Sequence, residues 1–139
     1  MLSRKDENYI IMTVIYMELN DFNFGKNLTP RNASNLMKEM CLEKGVDKVP
    51  LFVTDMVNLT LMHYGEAVNA IIPYLKEWKW ERIPLITQAI LLMSWTHFYK
   101  VEKIAKAIII DVAVNLAKEY INEKKQVNFI NAILDNILK

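Results

Sequence analysis

Ala107-Ile-Ile-Ile-Asp-Val-Ala-Val-Asn-Leu-Ala-Lys118, followed after a short polar link by Asn128-Phe-Ile-Asn-Ala-Ile-Leu-Asp135, decides the fold class of this chain. Around the first segment, Ile104, Ile108, Val112, Leu116 and Tyr120 recur every four residues, with Ala105, Ile109 and Ala113 alongside. In the second, Val127, Ile130, Leu134 and Ile137 form one stripe. Apolar residues three and four apart share one side of a helix, so both segments read as amphipathic helices. The β-branched run Ile108–Ile110 sits inside this period and does not read as a strand.

The same period continues toward the N-terminus. Pro84 opens a fifth helix with Ile86, Ala89, Ile90 and Met93 on one face. Pro50 opens a third helix through about Tyr64, and Gly65 marks a kink or break before a fourth helix reaching Trp78. Pro73 lies inside that fourth segment and predicts a bend or a displaced boundary there. Thr29 as cap, Pro30 at the first helical position and Gly45 past the end bound a second helix. Leu36, Met37, Met40 and Cys41 make its apolar stripe. The first helix runs from about Asp6 to Leu19, and Asn20-Asp-Phe-Asn-Phe-Gly25 breaks it. No window alternates strictly between strand-type turns, so the chain is an all-α domain of about seven helices.

With 139 residues, 53% of them hydrophobic, and only three glycines and four prolines, the chain suits one compact core. Its 17 basic and 16 acidic side chains leave a net charge of +1, so nucleic-acid contact has to come from local clustering. Cys41 stands alone, which excludes an internal disulfide and points to a reducing compartment. The start has no signal-peptide plan, and the apolar stretches around Ile83 to Trp95 and Ala105 to Ala117 fall short of the roughly 20 residues that span a bilayer. The expectation is a soluble cytoplasmic protein without a membrane partner.

The wording of the two C-terminal helices resembles the signature of the NusB family of bacterial transcription antitermination factors. Their pattern is an Ile-Asn-Glu-Ala-Val-like helix and then a Phe-Val-Asn-Gly-Val-Leu-Asp-like one. Phe52-Val-Thr-Asp-Met-Val57, Ile71-Ile-Pro-Tyr-Leu75 with Trp78, and Arg82-Ile-Pro-Leu-Ile-Thr-Gln-Ala-Ile-Leu91 are similar to the family's middle section. Ile15-Tyr16 stands where the family has a Leu-Tyr pair. The match covers most of the chain and is weakest over residues 20–50. The resemblance implies two packed helical sub-bundles, roughly residues 1–80 and 81–139, within a single NusB-like domain. It implies binding rather than catalysis. The expected ligand is a single-stranded boxA-like RNA, held jointly with a NusE-type ribosomal protein and delivered to the RNA polymerase complex. A homodimer through the partner surface is a further possibility.

Three departures from the family pattern bear on RNA. The Arg-rich start is reduced to Arg4 and Lys5, with Asp6 and Glu7 where more cations are expected. Ala132 replaces the usual glycine, and Lys124-Lys125 replaces an acidic residue. Loss of phosphate contacts lowers both affinity and salt dependence. An adaptor of the same fold that has lost RNA binding is therefore the competing reading.

An RNA site needs cations for phosphates and flat side chains for bases. Besides Arg4 and Lys5, the candidates are Lys100, Lys103 and Lys106, spaced by three along one helical side, and Lys124, Lys125 and Phe129. The bland alternative for the lysines is a solvated helix face, and for Phe129 the core. Tyr16, Tyr74, Trp78 and Thr87 are the candidates for the partner protein's surface, against core packing between sub-bundles. At least one of Trp78 and Trp80 is expected to face outward. His63 and Glu66 lack a second nearby histidine, so no metal site is assigned. Cys41 reads as a small buried hydrophobe. Asp55, Asp111 and Asp135 sit on separate helices, and no phosphate-cradling loop or nucleophile elbow is present; neither an enzyme nor a cofactor is expected.

Overall fold

The computed structural model describes residues 1–23, 25 and 30–139. Among these residues seven α-helices follow one another: α1 Arg4–Asn23, α2 Pro30–Glu43, α3 Leu51–Met62, α4 Tyr64–Ile71, α5 Leu85–Thr96, α6 Lys106–Tyr120 and α7 Lys124–Ile137. Among the described residues there is no strand, as the all-α reading requires. No helix among the described residues is long and apolar enough to cross a membrane.

The centre of the molecule is α5. Every residue from Thr87 to Thr96 is buried, because this helix packs against α1, α3, α4, α6 and α7. A helix that is apolar nearly all round is one surrounded by neighbours. It buries four polar side chains, Thr87, Gln88, Ser94 and Thr96, and of these the Thr96 hydroxyl has no hydrogen-bond partner among the described residues. Gln88 Nε2 donates to the carbonyls of Trp80 (2.9 Å) and Ile83 (3.0 Å), and the Ser94 hydroxyl donates to the Ile90 carbonyl (2.7 Å). Gln88 thereby fixes the connector between α4 and α5 against the core.

Several boundaries follow the sequence signals. Pro50 and Pro84 immediately precede α3 and α5. Gly45 (φ +78°) closes α2, where its N–H reaches the Leu42 carbonyl at 2.9 Å and Val46 N–H reaches Cys41. That left-handed turn is the reason for glycine. The cap read for Thr29 lies outside the described residues. Other boundaries differ. Asn20 and Asp21 do not break α1, which continues to Asn23; Phe22 sets its ring against Tyr64 at 5.8 Å. The break after α3 falls at His63, and Gly65 belongs to the first turn of α4. The fourth helix ends at Ile71 instead of reaching Trp78. Pro73 supplies no N–H for a continuing helical hydrogen bond, and the chain tightens into a 3₁₀ turn over Ile72–Tyr74.

The largest difference lies between α5 and α6. The chain leaves α5 through a wide π turn, His97–Val101, extends at Glu102 (φ −156°, ψ 155°), and resumes as α6 only at Lys106. Lys100, Lys103 and Lys106 therefore do not share a helical side. The His97 imidazole meets Glu102 at 3.1 Å and helps hold this exit. In α6 the buried side is Ile109, Ala113, Leu116 and Ala117, while Ile108 is 53% exposed. In α7 it is Ile130, Ile133, Leu134 and Ile137.

Candidate nucleic-acid interface

The start of α1 meets the second half of α6. The Ser3 hydroxyl accepts the Asp6 N–H at 3.0 Å, capping the first turn and presenting Arg4 and Lys5 outward. The Arg4 guanidinium lies 3.7 Å over the Phe52 ring and pairs with Glu7 at 3.2 Å. Phe52 in turn stands edge-on to His97, centroids 5.4 Å apart. Lys5 reaches across to Glu119 on α6 at 3.7 Å. Between the two helices runs a groove of about 580 Å³ lined by Arg4, Lys5, Asn8, Val112, Asn115, Leu116, Lys118 and Glu119. Three cations and one carboxylate rim it, two amides offer hydrogen bonds, and Val112 and Leu116 make an apolar floor. Tyr9 and Tyr120, sequence neighbours of the lining residues Asn8 and Glu119, meet with ring centroids 5.0 Å apart and planes tilted by 35°. Burial raises the Tyr120 phenol above its ordinary pKa and Glu119 adds to the shift, so the hydroxyl stays a donor. The ion pairs of Arg4 and Lys5 involve exposed cations, and such pairs are weak enough for a phosphate to displace.

A second concavity, about 360 Å³, lies where the connector after α4 faces the start of α7. Trp78, Ile83, Pro84, Glu123, Lys125, Gln126 and Phe129 line it. Trp78 is 55% exposed, whereas Trp80 is buried and donates its indole N–H to the Tyr64 hydroxyl at 3.0 Å. Thr87 is fully buried, and its hydroxyl donates to Gln126 Oε1 at 3.0 Å. Any influence of Thr87 on a ligand therefore passes through Gln126.

The remaining candidates scatter. Lys100 is tied to Glu66 at 3.2 Å, and the same carboxylate meets His63 at 3.3 Å. Lys106 joins α6 to α7 through the Asp135 carboxylate at 3.1 Å. Lys103 stands exposed on the extended exit, and Lys124 is exposed at the start of α7. Tyr74 shares a cleft with Lys100, Tyr99 and Lys139, and Tyr16 shares another with Asn20, Asn35 and Leu36. Cys41 is buried, and burial first, then Glu7, raises its thiol pKa. Among the described residues no three His, Cys, Asp or Glu side chains are grouped to hold a metal.

The structure thus brings Arg4 and Lys5 together at one groove, and Trp78, Lys125 and Phe129 at another. Sequence reasoning missed Asn8, Asn115, Lys118 and Gln126. The spacing of Asn115 and Lys118 on one helix was the only signal, and it gained meaning from the arrival of α1.

The NusB family model matches residues 8–139. The transcription antitermination protein NusB of Finegoldia magna is 33% identical over 104 residues, 74% of this chain and 75% of the relative. A solved structure of T. maritima NusB superposes with a TM-score of 0.80 at 18% identity, covering 99% of this chain and 91% of that one. A chain in the crystal structure of a plectonemic RNA supercoil superposes with a TM-score of 0.79 at 22% identity, covering 99% and 94%. The chain belongs to the NusB family, and its function is of the NusB kind, in transcription antitermination.

Proposed function

We propose that this protein binds a boxA-like single-stranded RNA together with a NusE-type ribosomal protein and carries both to the RNA polymerase complex in the cytoplasm. The observation that supports this reading is the groove in which Arg4, Lys5 and Lys118 surround Asn8 and Asn115 beside the Tyr9–Tyr120 pair. Cations spaced along a groove follow a phosphate backbone, and amides and rings beside it take unstacked bases. The solved RNA supercoil structure that contains a chain of this fold agrees with RNA as a ligand.

The mechanism is cooperative and involves no catalytic step. With net charge +1 the protein alone offers a modest attraction for RNA. A partner protein that extends the basic surface supplies the rest, since a coupling free energy of about 1–3 kcal/mol gives roughly 5- to 150-fold in affinity. Tyr16, Tyr74 and Trp78 are the aromatic anchors proposed for partner contact.

The test is the anisotropy of a fluorescent boxA-like RNA titrated with this protein, alone and with the NusE-type partner, over a salt series. The expected result is weak, salt-sensitive binding alone and at least fivefold tighter binding with the partner. A stable complex with the partner that leaves RNA affinity undetectable would instead identify a protein-only adaptor.

A further inference from the structure

Arg4, on the α1 wall of the groove, is seated on an aromatic ring. Its guanidinium carbon lies 3.7 Å over the centre of Phe52, and its Nε meets a Glu7 carboxylate oxygen at 3.2 Å. These contacts use the face and one corner of the guanidinium. They leave the Nη edge, whose parallel N–H groups match a phosphate bidentately, for a ligand. Lys5 differs: its side chain is 78% exposed and pairs with Glu119 at 3.7 Å.

The seat is itself fixed. Phe52 belongs to α3 and packs against the core. His97 stands edge-on to its ring, with centroids 5.4 Å apart and planes at 64°, and His97 Nε2 lies 3.1 Å from Glu102. The contacts therefore run from the first turn of α1 through α3 to the exit from α5. That exit leads into α6, the opposite wall of the groove. A long side chain that becomes ordered only on binding forfeits roughly three- to tenfold in affinity, and one already held in place does not. We propose that Phe52 is a positioning residue for RNA: its ring holds the Arg4 guanidinium in a phosphate-gripping orientation before the strand arrives. The assignment rests on the RNA-binding reading above. It makes position 4 specific for arginine, because an ammonium is a point charge with neither the flat face nor the fork.

The experiment titrates a fluorescent boxA-like RNA with the full chain and the NusE-type partner over a salt series. Arg4→Gln removes the contact itself, so affinity should fall and the slope of log affinity against log salt should drop by about 0.7. Phe52→Leu should weaken binding about three- to tenfold with the slope unchanged, since the cation is still present but no longer ordered. Arg4→Lys, an exposed change that keeps the charge, should do the same. Phe52→Tyr keeps a ring and should bind within about twofold of the wild type. In the Arg4→Gln background Phe52→Leu should cost nothing further, whereas a loss transmitted through the fold would add in full. Circular dichroism checks that each variant is folded, and Arg4→Lys keeps the assignment open to refutation should Phe52→Leu fail to fold. Full affinity in Arg4→Lys would overturn the positioning role and leave the RNA-binding reading intact. So would a Phe52→Leu loss that adds in full to that of Arg4→Gln. No binding of RNA by the wild type at low salt, even with the partner, would overturn both.

Discussion

Leu91→Ala is expected to destabilise the protein by about 3–5 kcal/mol, the range for a buried leucine whose cavity cannot collapse. Leu91 is fully buried at the middle of α5, and five helices pack against that one. Neighbours held by so many other contacts have little freedom to close the void. A loss of this size is a large part of the roughly 5–15 kcal/mol that holds a typical domain folded, and it should lower the melting temperature by roughly 10–20 °C. Ile108→Ala is the matched comparison. Ile108 belongs to the most regular apolar series in the sequence yet is 53% exposed, so its truncation should change stability by no more than about 0.5 kcal/mol. Urea unfolding followed by circular dichroism measures both. Equal costs for the two variants would contradict the placement of α6 against α5.

The second large effect concerns RNA. Converting Arg4, Lys5 and Lys118 to glutamine should weaken binding of a boxA-like RNA by roughly 10- to 100-fold near physiological salt and flatten its salt dependence. For single strands each lost phosphate contact reduces the slope of log affinity against log salt by about 0.7, so three should reduce it by about 2. Arg4 and Lys5 are exposed cations paired with Glu7 and Glu119, and ion pairs with a solvated cation contribute little to stability. The variant should therefore fold normally, and its loss can be read as a loss of contact. Lys48→Gln, an exposed change outside the groove, is the control and should leave both affinity and slope unchanged. An unaltered slope in the triple variant would remove the α1–α6 groove from the account.

Much of the fold was legible because proline, glycine and period act locally. Pro50, Pro84 and Gly45 mark helix limits wherever the chain goes afterward. The exit from α5 was not legible. Residues 97–105 contain neither glycine nor proline, and the lysines at three-residue spacing mimic a helix. What opens that segment is a wide turn and the His97–Glu102 contact, which depend on tertiary surroundings. In α6 the choice between the Ile108 and Ile109 stripes was also tertiary, since either suits a helix and only packing against α5 and α7 selects one. The candidate site divides the same way. Arg4, Lys5, Lys125, Phe129 and Trp78 carry chemistry visible in their identities. Lys118 and Asn115 gain their role from α1 lying beside α6, a juxtaposition across the length of the chain. Thr87 shows the converse: it reads as a surface candidate and is a buried support for Gln126.

The most direct test of the central claim, that single-stranded RNA follows the α1–α6 groove and passes Lys125 and Phe129 at the start of α7, is photocrosslinking. A boxA-like RNA carrying 4-thiouridine would be irradiated in complex with this protein and the NusE-type partner, and the attached peptides mapped by mass spectrometry. The account predicts crosslinks within residues 1–9, 112–120 and 123–129. Efficient crosslinking confined to α2 and the turn that follows it, with those three segments unlabelled, would contradict it.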